Sequence, residues 1–221
     1  MTESGRPQPR KPASLAVRAA LLLLLALGAR FGALRGLDTA CAGWVAPLRS
    51  AAWDRAARVA TRFGGSVVTL AALLGLALLT WKRAGQRAAV WLVAAFTVGG
   101  GLEMVLRWLV AQWRPDLLIL PTAATPWLSR LKLAGFPSGH AYRSALVFGY
   151  AAREWPPGRA RVFARALCLL VIIVVGITRV YLNRHWASDV VGGWLVAQVA
   201  LALTKCQTLF PKVSDTCEAK T

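Results

Sequence analysis

The side chains best suited to catalysis include the only two histidines of the chain, His140 and His185. Asp189 follows His185 by four residues, so a helix would place both side chains on one face. The carboxylate can then accept the Nδ1–H of the imidazole and leave Nε2 free as a nucleophile. His140 lies in another segment and could act as a general acid or base. The pattern therefore predicts nucleophilic catalysis by His185, oriented by Asp189 and assisted by His140.

A second group of residues is suited to binding an anion. Together with the histidines, these residues lie in three segments of the chain, 107–115, 137–140 and 178–189. Arginine offers planar paired donors that match phosphate oxygens, and a serine hydroxyl adds a further donor. Pro137 suits the first position of a helix, whose N-terminus would direct free N–H groups at the anion where a glycine allows close approach. With the histidines these residues predict a phosphoryl-transfer site that needs no metal and no other cofactor. The predicted phosphate-binding set is Arg107, Arg114, Ser138, Gly139 and Arg179.

Two further charged residues have alternative interpretations. Glu103 precedes Arg107 by one helical turn, which is the favourable order for an ion pair. It either positions Arg107 or pairs with another buried group. Arg143 follows His140 by three residues, so it either reaches a second phosphate or headgroup, or extends to the membrane interface.

The composition indicates the environment in which such a site operates. The 221 residues include 27 Lys and Arg against 9 Asp and Glu, a formal charge of +18, and 57% are hydrophobic. The charge alone would suggest a nucleic-acid-binding protein. A mean hydropathy of +0.50 argues against nucleic acid as the partner and against disorder. The composition instead predicts an integral membrane protein whose partner is the lipid bilayer.

The elements that position these residues are predicted to be membrane-spanning helices. Each span needs about 20 mostly apolar residues. The fold class is therefore all-α, a six-helix transmembrane bundle, with an amphipathic interfacial helix within 35–63 between the first two spans. We expect a polar N-terminus over 1–14, the six-span domain over 15–205 and a polar tail over 206–221. The six predicted spans are 15–34, 64–81, 88–110, 138–154, 161–177 and 188–205.

The charges of the loops give a weak indication of orientation. With cytoplasmic termini, 14 basic residues lie on the cytoplasmic side and 12 on the outer side, apart from Arg143. The bias grows when the six arginines of 30–62 and the motif residues are set aside. We therefore expect an inner (cytoplasmic) membrane protein with cytoplasmic termini. Its three reactive segments would meet at the outer, periplasmic face.

The three segments resemble the signature of the type 2 phosphatidic acid phosphatase superfamily, which is related to the vanadium haloperoxidases. That signature is Lys-x6-Arg-Pro, Pro-Ser-Gly-His and Ser-Arg-x5-His-x3-Asp. This chain has the same spacings, with two departures. Arg107 stands where the family has lysine, and Thr178 replaces the serine while keeping a hydroxyl. By this resemblance, His185 is the nucleophile, Asp189 its partner and His140 the acid and base. The residues that bind phosphate are Arg107, Arg114, Ser138, Gly139 and Arg179.

The resemblance implies a lipid phosphatase that acts through a phosphohistidine. The short connection over 116–136 leaves little room for a cap domain and favours a small headgroup. Expected substrates are a polyprenyl diphosphate, phosphatidylglycerol phosphate or phosphatidic acid. Two alternatives remain. A lipid hydroxyl could intercept the intermediate, which would make the protein a phosphotransferase, or the chain could be a non-catalytic scaffold or transporter that keeps the fold.

Overall fold

The computed structural model describes residues 13–117 and 133–204. The expected tails at 1–14 and 206–221 lie outside the described residues, apart from the first helical residues 13 and 14. Within the two described ranges the chain forms eight α-helices and no strand beyond an isolated pairing of Trp113 with Ala134. The helices are α1 (Ala13–Arg30), α2 (Arg35–Val45), α3 (Ala51–Ala60), α4 (Ser66–Ala84), α5 (Gln86–Val110), α6 (Gly139–Glu154), α7 (Arg159–Tyr181) and α8 (Ala187–Leu203).

A helix lies in each of the six predicted ranges, but these helices differ in how well they suit a membrane. Among the described residues, three stretches are long and apolar enough to span it, namely Ala51–Ala84, Gln86–Val110 and Arg159–Tyr181. A fourth span results if α1 and α2 are counted together, although the chain bends by 83° between them. α8 is apolar but short. The structure therefore shows an all-helical protein with membrane-spanning helices, but it does not establish the predicted number of six spans.

The most polar of these helices, α6, is surrounded by other helices. It packs most extensively against α8 and α7. Its Tyr142, Leu146 and Val147 are almost fully buried in the main core beside Val196 of α8. Because protein rather than lipid surrounds much of α6, polar residues can be carried there without facing hydrocarbon. The chemistry-bearing Pro-Ser-Gly-His segment begins this helix.

The segment between the first two predicted spans differs from the sequence prediction in detail. One amphipathic helix was expected within 35–63, whereas the structure has two, α2 and α3. A 3₁₀ turn over Ala46–Leu48 separates them, and Pro47 within it cannot continue the hydrogen-bond ladder of α2. α3 begins where the Ser50 hydroxyl accepts the Trp53 N–H at 3.2 Å.

Candidate active site

The end of α5 supplies the first arginine of the site. Arg107 Nη2 lies 2.6 Å from Glu103 Oε1, one turn earlier, and donates to the carbonyl of Pro137 at 3.2 Å. The helix stops three residues later because Ala111 adopts a left-handed conformation with φ of 51°. The chain then turns toward Arg114. Arg107 is thereby tied to the Pro-Ser-Gly-His segment of α6.

Glu103 also faces the arginine for which the sequence left two interpretations. Arg143 Nη1 lies 4.0 Å from Glu103 Oε2, and its Nε donates to the carbonyl of Gly64 at 3.3 Å. Both contacts direct Arg143 into the protein, and its side chain is 19% exposed. Glu103 therefore contacts two guanidinium groups. A side chain at Gly139 would displace Glu103, because a Cβ there would lie 2.5 Å from Glu103 Oε1.

α6 begins within the Pro-Ser-Gly-His segment, two residues later than the sequence suggested. Pro137 was expected at the first helical position, but Ser138 is the N-cap and α6 begins at Gly139. The Ser138 hydroxyl accepts the Ala141 N–H at 3.5 Å, and its own N–H donates to the Asp189 carbonyl at 2.9 Å. These bonds, rather than the proline ring, set the start of the helix. They also connect α6 to the residue expected to orient the nucleophile.

The spacing between Arg179 and His185 is explained by a tight turn after α7. Asn183 adopts a left-handed conformation with φ of 58°, which asparagine tolerates better than most residues. The chain therefore folds back, and the backbone N–H groups of Arg184 and His185 donate to the Arg179 carbonyl at 3.0 and 3.2 Å. His185 is thus fixed next to the last turn of the helix that carries Arg179.

His185 and Asp189 form a buried pair. His185 Nδ1 lies 3.3 Å from Asp189 Oδ2, and the two side chains are 6% and 0% exposed. The same carboxylate oxygen accepts the Trp186 N–H at 2.9 Å, at the start of α8. With Nδ1 directed at a carboxylate, the neutral imidazole keeps its lone pair on Nε2. This arrangement suits a nucleophile or base.

The electrostatic surroundings of His185 are positive. Burial, followed by the charges of Arg179 and Arg107, holds the pKa of His185 well below its ordinary value, with smaller contributions from His140 and Arg114. The imidazole is therefore neutral at physiological pH. The same charges show that the predicted arginines and both histidines lie close enough to interact electrostatically at one end of the bundle.

The remaining predicted residues have defined partners. Arg179 Nη1 donates to the Thr61 hydroxyl at 3.2 Å. The Thr178 hydroxyl, predicted as accessory, donates to the Val175 carbonyl of its own helix at 2.7 Å. Arg114 Nε lies 3.3 Å from Asp116 Oδ1, and Arg184 Nη1 lies 2.9 Å from Asp116 Oδ2. Sequence reasoning overlooked Asp116, although its place two residues after Arg114 was visible.

A second carboxylate near the catalytic segment was also overlooked. Asp38 of α2 is 1% exposed and accepts the N–H and the hydroxyl of Ser188, which immediately precedes Asp189. Asp38 lies 150 positions earlier in the chain, so no local spacing could have linked the two. The available signal was that Asp38 is one of two acidic residues in a basic interspan segment, the other being Asp54. Among the described residues, no group of three or more His, Cys, Asp or Glu side chains is arranged to hold a metal ion.

Comparison with known proteins gives a consistent family signal. The model of the PAP2 superfamily matches residues 88–210. A lipid A 1-phosphatase of Rhizobium etli is 31% identical over 41% of this chain and 39% of that protein. An undecaprenyl-diphosphatase of Sulfolobus acidocaldarius is 29% identical over 54% of each chain. The alignments thus span about two fifths and about half of the lengths of these two relatives.

Two longer matches come from Bacillus subtilis. Phosphatidylglycerophosphatase B of that organism is 24% identical over 88% of this chain and 93% of its own length. The crystal structure of a transmembrane PAP2-type phosphatidylglycerolphosphate phosphatase from the same species superposes with a TM-score of 0.72. It covers 90% of this chain and 98% of that chain at 20% identity. At that identity the match establishes a shared fold.

Proposed function

The chain belongs to the PAP2 superfamily, and on that premise we propose that it removes a terminal phosphate from a membrane lipid phosphate or diphosphate. The observation that carries the proposal is the buried contact of His185 with Asp189, 3.3 Å apart, in a positive cluster. A neutral imidazole beside several guanidinium groups suits attack on a phosphorus atom whose oxygens carry the negative charge.

The proposed reaction has two steps and uses only residues of this chain. His185 Nε2 attacks phosphorus, the bond from phosphorus to the lipid oxygen breaks, and His140 gives a proton to that oxygen. The phosphoryl group is then held on His185, and Asp189 stabilises the positive imidazole ring. Water next attacks phosphorus, His140 takes up a proton from it, and the bond to His185 breaks to release inorganic phosphate.

The arginine cluster would bind the transferred phosphoryl group. Arg107 lies in α5, Arg114 in the loop that follows it and Arg179 near the end of α7, so they can contact different oxygens of one phosphate. Ser138 and Gly139 lie at the N-terminus of α6, where free backbone N–H groups favour an anion. Arg143, on the next turn of the same helix, would reach a second phosphate or headgroup.

A groove beside the cluster supports a lipid rather than a soluble substrate. Its volume is about 220 Å³, and it lies between α3 and α7. Its lining includes Thr178, the neighbour of Arg179 in sequence, and we infer that a lipid chain in the groove would leave its phosphate near the arginines. The residues that line it are Trp53, Ala56, Ala57, Ala60, Val174, Ile177, Thr178 and Tyr181.

The membrane arrangement is part of the proposal. We infer six crossings, with α1, α4, α5, α6, α7 and α8 as the spans and with α2 and α3 near the interface. The termini would be cytoplasmic in the inner membrane, and the site would face outward. The short α6 and α8 are compatible with this arrangement because neighbouring helices enclose much of each. The names of two relatives fit a polyprenyl diphosphate and phosphatidylglycerol phosphate as substrates, and phosphatidic acid is kept as the third candidate because it also carries a terminal phosphate.

The deciding experiment measures phosphate release from these three lipids by the purified full chain in detergent, with and without EDTA. We expect release that EDTA does not reduce, that vanadate inhibits and that His185→Ala lowers by about 10⁴-fold or more. Glu154→Gln is the matched control, since Glu154 lies at the opposite end of α6 and is half-exposed. Substantial activity of His185→Ala would contradict the mechanism, and loss in EDTA would contradict its independence of metal. A lipid alcohol added as acceptor distinguishes transfer from hydrolysis.

A further inference from the structure

Asp38 of α2 is hydrogen-bonded to the start of α8, the helix that carries Asp189. Its Oδ1 accepts the Ser188 N–H at 2.9 Å, and its Oδ2 accepts the Ser188 hydroxyl at 2.7 Å. Oδ2 also lies 3.4 Å from Gln112 Nε2, in the chain segment between Val110 and Arg114. One carboxylate from α2 thus joins two of the three motif segments. At 1% exposure it has almost no contact with solvent.

The position of Ser188 gives these bonds their significance. It lies in the first turn of α8, where backbone N–H groups have no partner within the helix. A carboxylate there satisfies one of these donors and interacts favourably with the positive end of the helix dipole. Ser188 is also next to Asp189 and three residues after His185. Any rotation of the first turn of α8 would therefore move Asp189 Oδ2 relative to His185 Nδ1.

We propose that Asp38 is a positioning residue for the nucleophile. It holds the first turn of α8 so that Asp189 keeps the His185 imidazole in one tautomer, with its proton on Nδ1. The proposal rests on the proposed function, in which His185 attacks phosphorus. Asp38 itself does not contact the substrate. Its effect is transmitted through Ser188 and Asp189.

A cavity beside Asp38 makes the proposal testable without losing the fold. The cavity has a volume of about 380 Å³, and Asp38, Gln112 and Trp186 contribute to its lining. When Asp38 is shortened to alanine, water from this cavity can solvate the freed N–H and hydroxyl of Ser188. Asp38→Asn is the second variant, since it keeps the shape of the side chain and one acceptor oxygen but loses the charge.

The first measurement is histidine NMR, for which this chain is well suited because it has only two histidines. In protein with ¹⁵N-labelled histidine, His140→Gln assigns the His185 signals. We expect the neutral Nδ1–H tautomer of His185 in the unmodified chain and a mixture of both tautomers in Asp38→Ala, with an intermediate shift in Asp38→Asn. Thr39→Ala is the matched control, because the Thr39 hydroxyl is exposed and bonds only to carbonyls of its own helix in the described contacts.

The second measurement is kinetic. We expect Asp38→Ala to lower kcat by about 10- to 100-fold, which is the effect of removing residues that orient a metal-bound histidine in other enzymes. KM and vanadate inhibition should be nearly unchanged. Ser188→Ala should lower kcat less, and the double variant should match Asp38→Ala because both act through one contact.

The outcomes separate this inference from the proposed function. A folded Asp38→Asn or Asp38→Ala with an unchanged His185 tautomer and unchanged kcat would overturn the positioning role. Additive effects of Asp38→Ala and Ser188→Ala would also overturn it, since they would show independent actions. If the unmodified chain released no phosphate from any lipid while the tautomer still responded to Asp38, the proposed function would fail instead.

Discussion

Two buried carboxylates near the histidines, Glu103 and Asp189, are held in opposite ways. Glu103 contacts guanidinium groups, with Arg107 at 2.6 Å and Arg143 at 4.0 Å. The closest donor to Asp189 is the backbone N–H of Trp186 at 2.9 Å, and the imidazole of His185 lies at 3.3 Å. One acid pairs with permanent cations, whereas the other is bound by neutral groups.

The difference implies a division of labour. A carboxylate beside arginines fixes the direction of their donors and so shapes the phosphate site before substrate arrives. A carboxylate bound by neutral donors keeps its negative charge available for the imidazole ring, which in the proposed reaction becomes positive when His185 is phosphorylated. We therefore expect changes at Glu103 to affect substrate binding and changes at Asp189 to affect the chemical step.

The largest effect is expected at Asp189. Asp189→Asn keeps the size of the side chain but removes the charge, and its amide can donate to Nδ1 and select the wrong tautomer of His185. In serine proteases the equivalent change lowers kcat by about 10⁴-fold. We expect a fall in kcat of about 10³- to 10⁴-fold with KM changed by less than about threefold. Steady-state phosphate release from one lipid substrate measures both.

Trapping of the intermediate sharpens this test. Rapid quenching with ³²P-labelled lipid should show slower formation of acid-labile, base-stable phosphoprotein in Asp189→Asn. Ser144→Ala serves as the control, because Ser144 is buried on α6 and its hydroxyl donates to the carbonyl of Ala141 within the helix. An Asp189→Asn variant with normal kcat and raised KM would reverse the proposed division.

A smaller effect, on substrate binding rather than on kcat, is expected at Glu103. Glu103→Gln loses the ion pairs with Arg107 and Arg143 but keeps an oxygen that accepts one hydrogen bond. Removing a negative charge strengthens attraction of the phosphate, but the arginines lose their fixed direction. Because paired donors depend on geometry, we expect the loss of direction to dominate. KM and the inhibition constant of vanadate should rise by about three- to tenfold, with kcat within about twofold.

The control for Glu103 is the nearby exposed face of the same helix. Met104→Leu changes a side chain that is 49% exposed and keeps it apolar, so it should alter neither constant. Melting temperature in detergent must accompany both variants, since a buried pair that loses one partner also destabilises the fold. If Glu103→Gln lowered kcat as strongly as Asp189→Asn, the two clusters would act as one unit.

The same comparison shows what the sequence could predict. The spacing predicted that Asp189 would meet His185, but for the wrong reason. The two do not share a helical face, because His185 precedes α8, which begins at Ala187, and the contact is made from the turn before the helix. The order of Glu103 and Arg107 indicated their ion pair. Long apolar runs located helices within a few residues, as for α5, expected at 88–110 and found at Gln86–Val110.

What the sequence did not reveal depends on distant segments. Asp38 bonds to Ser188 across 150 positions, and Arg143 donates to Gly64 across 79. Neither contact leaves a local pattern. The bend between the first span and the interfacial segment was placed a few residues too late, at 34 instead of after Arg30, because the apolar run continues to Leu34, while Gly32 with φ of 75° permits the turn.

The smallest predicted effect concerns stability and pH. Burial and the nearby arginines hold the pKa of His185 well below its usual value of about 6.5. Below that pH the unfolded chain binds a proton at this position and the folded chain does not, so the free energy of unfolding falls as the pH decreases. The contribution is at most about 1.4 kcal/mol per pH unit and vanishes above about pH 6.5.

Melting in detergent at pH 7.5 and pH 5 measures this effect. Between the two pH values, the melting temperature of the unmodified chain should fall more than that of His185→Gln, whose side chain does not titrate. An equal loss in both proteins would show that folding does not lower the pKa of His185, and it would contradict a buried, neutral imidazole in a positive field.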